Sequence, residues 1–132
     1  MNPAALLRGA VVYLTSHGWT QGTFFLSFAP EPFPPACTLG AINVCAHGEP
    51  TLSALSPDDD PNTDAAIAAM RVFAAYLDPD YGNHHLDHEA TCAIDVIGDW
   101  NDDKTRTLDE VIQALTDAAR DWEAAHPTGG AW

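Results

Sequence analysis

Apolar residues near the start of the chain recur at the spacing of an α-helix. Leu6 and Leu14 fall on the same face of a helix that precedes Gly18. Asn2 can cap the amino end of this helix, and Pro3 suits the first turn because its missing N–H is not needed there. We expect Gly18 to end the helix in a left-handed conformation.

The clearest helical pattern lies at the other end of the chain. Thr107 and Glu110 have the spacing of a capping box, in which each side chain satisfies a free backbone N–H at the start of a helix. Apolar residues then recur on one face, at Leu108, Val111, Ile112, Leu115, Ala119 and Trp122. We expect this helix to form the core together with the first one, and residues 127–132 to fray.

Two further helices are predicted between these ends. One covers residues 37–47 and ends at Gly48, since glycine readily adopts the conformation that closes a helix. The other begins at Asn62 or Thr63, which are good capping residues, and stops before Pro79.

Residues 87–100 fit two periodicities. Helical spacing is seen in Ala93, Ile97 and Trp100, whereas strand-like alternation is seen in Cys92, Ile94 and Val96. We favour a helix here.

A strand is predicted over residues 23–28, which are rich in aromatic side chains and bounded by glycine and proline. Several prolines in residues 30–35 cannot donate to a ladder, so a partner strand would be short and lie at an edge. The predicted fold class is therefore α+β and mostly helical: a single small domain over residues 1–126 with four to five helices and a short two-stranded hairpin near residues 23–37.

The charge limits what the domain can bind. The chain has 132 residues, of which 19 are acidic and 5 basic, and its formal net charge is −14. Lys104 is the only lysine, so the clustered cations that bind nucleic acid or anionic membranes are missing. Residues 1–48 carry only Arg8 and Glu31, which places nearly all of the charge in the remainder.

No apolar stretch reaches the roughly 20 residues of a membrane span, and three cysteines are an odd number for a disulfide framework. We therefore expect a cytoplasmic protein with reduced thiols.

Three short motifs carry a family resemblance. They are Gly18-Trp19-Thr20-Gln21-Gly22, Cys37-Thr38-Leu39-Gly40-Ala41 and Trp100-Asn101-Asp102. Together they resemble an uncharacterised family, a domain of unknown function found in small actinobacterial and actinophage proteins. The resemblance implies a short helix leading to the Gly-Trp turn and a hairpin, then a helix at the cysteine, and a final helix after the Trp-Asn-Asp turn. It implies no activity.

Cys37 is the candidate nucleophile. It lies at the predicted start of a helix, where the dipole and free N–H groups favour a thiolate. Gln21 precedes it, as a glutamine precedes the nucleophile of papain-like proteases, and Asn101 could orient a histidine base. The base would be one of His47, His84, His85 and His88. The alternative, which we favour, is a buried structural cysteine, because cysteine is among the residues most often buried.

The amide side chains of these motifs have a second, structural interpretation, because buried amides need hydrogen-bond partners. We predict that Gln21 or Asn101 is bonded to backbone, and that Trp19 and Trp100 pack between elements.

A zinc site is the metal hypothesis. If their segment is helical, His84, His88 and Cys92 fall on one face, and histidine and cysteine are common zinc ligands. No fourth ligand is evident, so we favour a solvated histidine cluster and expect no cofactor.

A solvated loop is likewise expected at a group of aspartates that lack the spacing of a calcium loop: Asp58, Asp59, Asp60 and Asp64.

The favoured function is a non-enzymatic binding or accessory protein that acts through protein–protein contacts. A strongly negative domain attracts basic partners and repels nucleic acid. Such a protein could be a phage-encoded modulator or decoy of a basic host protein, or its acidity could serve solubility alone. The alternative function is a thiol-dependent hydrolase or acyl transferase that uses Cys37.

Overall fold

The computed structural model describes residues 2–25, 33–48, 50, 61–81 and 90–127, and within these ranges the chain forms five α-helices. They are α1 (Pro3–His17), α2 (Thr38–His47), α3 (Pro61–Leu77), α4 (Ala90–Asn101) and α5 (Leu108–Ala125). The helical interpretation of residues 87–100 is confirmed over the described part of that segment.

Most of the predicted helix ends are confirmed. The Asn2 side chain accepts a hydrogen bond from the backbone N–H three residues later, and Thr107 and Glu110 form the complete capping box of α5. Gly48 ends α2 in the left-handed conformation, with φ 81°. Gly18 ends α1 differently, because its φ of 103° and ψ of 166° lie outside the left-handed helical region.

The predicted α+β class and its hairpin are wrong. Among the described residues there is no strand; Ala36 forms one isolated bridge with Trp19 and another with Phe25. Pro34 and Pro35, which directly precede Ala36, have no N–H to donate, so a ladder cannot extend along this segment. The described fold is helical.

The core lies where α1 packs against α2, α3 and α5, and where α3 packs against α4. The residues predicted to supply it are buried: Leu6, Leu14, Val111, Leu115 and Trp122. Trp19 and Trp100 are partly buried against this core, as predicted. None of the described helices is both long and apolar enough to cross a membrane.

Several predictions concern residues outside the described ranges. These are the second half of the predicted strand (residues 26–28), the aspartates Asp58–Asp60, the histidines His84, His85 and His88, and the tail beyond Pro127.

Candidate functional site

Asn101, the last residue of α4, joins three parts of the chain through its side-chain amide. Its Oδ1 accepts hydrogen bonds from Trp19 Nε1 at 2.8 Å, from the Thr38 backbone N–H at 3.0 Å and from the Thr38 hydroxyl at 2.7 Å. Its Nδ2 donates to the Thr20 carbonyl at 3.2 Å and to Asp102 Oδ1 at 3.0 Å. Asn101 is only 1% exposed, so each of these bonds replaces a contact with water that burial has removed. We call this arrangement the Asn101 junction.

Gln21 closes the carboxyl end of α4 from the other side. Its Nε2 donates to the backbone carbonyls of Asn101 at 2.9 Å and Asp103 at 2.8 Å. The last carbonyls of a helix have no partner within the helix, so Gln21 acts as a cap supplied by a distant turn. Next to it, the Gly22 N–H donates to Asp102 Oδ1 at 2.9 Å. The prediction that Gln21 or Asn101 bonds to backbone is confirmed for both residues.

Gly40 lets the backbone after the Gly-Trp turn approach α2. The Cys37 N–H donates to the Phe24 carbonyl at 2.9 Å, and a Cβ placed on Gly40 would lie 2.5 Å from that carbonyl oxygen. No side chain larger than hydrogen fits at this contact, which explains the glycine of the second motif.

Cys37 is the cap of α2. It precedes the helix, is 6% exposed, and its Sγ accepts a hydrogen bond from the Gly40 N–H at 3.4 Å. Burial raises the pKa of the Cys37 thiol; the nearby Asp102 carboxylate also raises it, and the helix N–H groups oppose them. The thiol therefore favours its neutral form, which is the poorer nucleophile.

The other described members of the hydrolase hypothesis, His47, Gln21 and Asn101, lie in unfavourable positions for catalysis. His47 is at the opposite end of α2 from Cys37, and the ten residues of that helix span about 15 Å. Both the Gln21 and the Asn101 amides already donate to groups of the protein. His84, His85 and His88 lie outside the described residues, so the nucleophile hypothesis stays a prediction.

The zinc hypothesis cannot be placed, because His84 and His88 lie outside the described ranges. Cys92 belongs to α4, but its side chain is not among those described. Within the described residues no three histidine, cysteine or carboxylate side chains are arranged to hold a metal ion.

A pocket of about 220 Å³ lies beside the Asn101 junction, between α4, α2 and the turn at residues 22–24. Its wall contains the buried side chains of Cys37 and Leu39 and the partly buried side chains of Phe24 and Ile94. Three exposed carboxylates complete the lining: Asp95, Asp99 and Asp102. We call it the acidic pocket.

Among the described residues, the lining of the acidic pocket contains no compensating cation. Asp95 and Asp99 make no ion pair with any other described residue, and the carboxyl end of α4 adds its partial negative charge. The amino end of α2, which carries a partial positive charge, faces the same region. Its N–H groups are already satisfied in part, by Asn101 Oδ1 at Thr38 and by Cys37 Sγ at Gly40.

The groove between α3 and α5 is electrostatically different. It has a volume of about 420 Å³ and is lined by Trp100, Arg106 and Glu110, among others. The Arg106 guanidinium lies 4.2 Å from the centre of the Trp100 ring and pairs with Glu110 at 3.5 Å and with Asp103 at 3.8 Å. Here the fold supplies its own cation, whereas the part of the acidic pocket's lining that the structure describes contains none.

Asp95 and Asp99 were missed in the sequence analysis. A signal was present, because they are four residues apart on one helix face and no lysine or arginine lies three or four residues from either. Such a pair gains nothing from its own helix, where like charges at this spacing are destabilising.

The fold and site define a small helical protein in which three motifs meet at one buried junction beside an acidic pocket. The profile of a family of unknown function (DUF6197) matches residues 1–121, and the chain belongs to that family. The coarse resemblance is thus confirmed. A search of curated proteins finds no match, and neither does a search of solved structures.

Proposed function

We propose that the protein is a non-enzymatic binding or accessory protein whose partner is a protein with a basic surface. The observation that carries this proposal is the pair Asp95 and Asp99, which are exposed, unpaired within the described residues, and beside a pocket. Their own helix gives no reason for them. They repel each other, and Asp99 lies in the last turn of α4, where a negative charge opposes the helix dipole.

The net charge of −14 supports the same proposal at longer range. A domain with this charge steers basic proteins toward itself and repels nucleic acid. In its more specific form, the protein is a cytoplasmic, phage-encoded modulator or decoy that occupies the basic surface of a host protein. The alternative of a hydrolase at Cys37 has less support, because the thiol is buried and its pKa is raised.

Affinity capture from host lysate tests the proposal, with the bound proteins identified by mass. The test variant is Asp95→Asn with Asp99→Asn. The matched control is Asp64→Asn with Asp121→Asn, which removes the same charge from exposed positions that do not line the acidic pocket. Each protein is washed at low and at high salt.

We expect the wild type and the control to retain one basic protein in stoichiometric amount, and the test variant to lose it. High salt should release it, because exposed charge pairs are screened. The proposal is contradicted if no stoichiometric partner is captured, or if the captured protein is acidic or is retained equally by both double variants.

A further inference from the structure

We infer that the acidic pocket receives a lysine or arginine side chain of the basic partner. This assignment rests on the proposed function and adds to it the place and mode of contact. We expect the occupant to carry a positive charge, because the described residues of the lining include three carboxylates and no lysine, arginine or histidine.

The walls of the pocket specify the rest of the occupant. Leu39 and Cys37 are buried, and Phe24 and Ile94 are partly buried, so the inner lining is mostly apolar while the carboxylates are exposed. Lysine and arginine combine a long apolar stem with a charged end, and they pack the stem on apolar surface while the charge stays near water. An inserted side chain of this kind would match both parts of the lining.

The size of the pocket argues for a side chain over a cofactor. Pockets that bind cofactors and drug-sized ligands typically have volumes of about 300–1,000 Å³. The acidic pocket, at about 220 Å³, is smaller. The volume of the acidic pocket is better suited to a single side chain presented by a protein surface.

Asn101, the buried polar side chain of the lining, is already hydrogen-bonded within the protein, which leaves the carboxylates to bind the ligand. Asp102 Oδ1 accepts hydrogen bonds from Gly22 and Asn101, whereas Asp95 and Asp99 accept none from the described residues. We therefore assign the main contact with the incoming charge to Asp95 and Asp99, and a supporting contact to Asp102.

Gly98 provides a way to block the pocket without changing its charge. It lines the pocket, and a Cβ built on it would meet only Leu39 Cδ1, at an ordinary contact distance of 3.9 Å. Gly98→Leu should therefore fill the pocket, while Gly98→Ala should leave most of it open and serves as the control.

The experiment is an NMR titration of the isotope-labelled protein with an acetylated hexalysine peptide at low salt. The backbone amides of Gly22 and Gly98 report on the pocket, and Gly48, at the far end of α2, reports on general effects. We expect saturable shifts at Gly22 and Gly98 with little change at Gly48. Affinity should fall about tenfold or more in Gly98→Leu and in Asp95→Asn with Asp99→Asn, but change little in Gly98→Ala.

The outcomes separate the two proposals. If hexalysine binds Gly98→Leu as tightly as it binds the wild type, the pocket assignment is wrong while the basic partner stands. If hexalysine does not bind the wild type, the pocket assignment is wrong; if lysate capture also yields no basic protein, both proposals are wrong. If 1,5-diaminopentane binds more tightly than the peptide, the ligand is a free amine and the assignment to a protein side chain is wrong. Thermal melts of each variant check that it is folded.

Discussion

Two groups of polar residues meet at the carboxyl end of α4, and they differ in whether the fold satisfies them. The side chains of the Asn101 junction are hydrogen-bonded within the protein, with Asn101 itself engaged at both amide atoms. Asp99 and Asp95, two and six residues before Asn101 on the same helix, have no such partners among the described residues. The recognisable motifs therefore build the structure, whereas the candidate functional residues, Asp95 and Asp99, lie outside them.

The comparison predicts first that Asn101→Ala is severely destabilising. Truncation leaves the partly buried Trp19 N–H and both buried Thr38 donors without their acceptor, and we expect a loss of about 3 kcal/mol or more in the free energy of unfolding. Urea denaturation measures this. Gln113→Ala, at an exposed helix position, is the control. A change below about 1 kcal/mol for Asn101→Ala would mean that the junction is not essential to the fold.

The second prediction concerns the reactivity of the two described thiols, Cys37 at the start of α2 and Cys45 near its end. Burial raises the pKa of Cys45 from 9.0 to about 11, so at neutral pH it should react with iodoacetamide about a hundredfold more slowly than in the unfolded chain. Burial likewise raises the pKa of Cys37, and we expect slow alkylation there too. Mass spectrometry of digests follows each site. Rapid, selective labelling of Cys37 at neutral pH would contradict this prediction and support the hydrolase hypothesis.

These thiols also give stability a pH dependence of definite sign. Because the folded pKa lies above the unfolded one, the contribution of the neutral thiol is complete below the unfolded value of 9.0. It is lost as the pH rises through the folded pKa, which for Cys45 is about 11.

The third prediction compares two helical glycines. Gly40→Ala brings a Cβ against the Phe24 carbonyl oxygen, and we expect about 2 kcal/mol of destabilisation, since backbone cannot move aside easily. Gly98→Ala has room and should stabilise by about 0.5–1 kcal/mol, as alanine does in a helix interior. Urea denaturation of both variants distinguishes the sites. Equal effects would show that the close approach at Gly40 imposes no constraint.

The fourth prediction has the smallest effect on stability and tests directly whether Asp95 and Asp99 have a structural role. Asp95→Asn with Asp99→Asn should leave the free energy of unfolding unchanged or raise it by about 0.5 kcal/mol, because it removes a repulsion and an unfavourable dipole contact. Differential scanning calorimetry would detect the change. Marked destabilisation would place these carboxylates in the structural group and remove the distinction between the two groups.

The sequence predicted the helices better than it predicted the site. Capping at Asn2 and Thr107 and the apolar face of α5 are local signals, and local geometry suffices to interpret them. The hairpin failed because the β-propensity of Phe24 and Phe25 is realised only when a partner strand can donate along its length. The segment before Ala36 ends in two prolines and cannot do so.

The site was harder because its parts are far apart in the chain. Cys37, Gln21 and Asn101 attracted attention as chemically interesting residue types, yet their polar atoms are occupied by contacts that only the tertiary structure shows. The acidic pocket depends on α4 lying beside the turn at residues 22–24, a proximity that no local pattern encodes.

The Asn101 junction also bears on how the chain reaches its native state. The bonds from Gln21 to the backbone of Asn101 and from Trp19 to its side chain connect residues 80 and 82 positions apart. Closing a loop of this length has an entropic cost that must be met before the bonds can stabilise anything, and such distant contacts slow folding. During synthesis, the Gly-Trp turn must wait for α4 to be made before its polar groups find partners. In a fragment that ends before Asn101, the Gly-Trp turn (residues 18–22) should therefore fail to become ordered, however well α1 forms by itself.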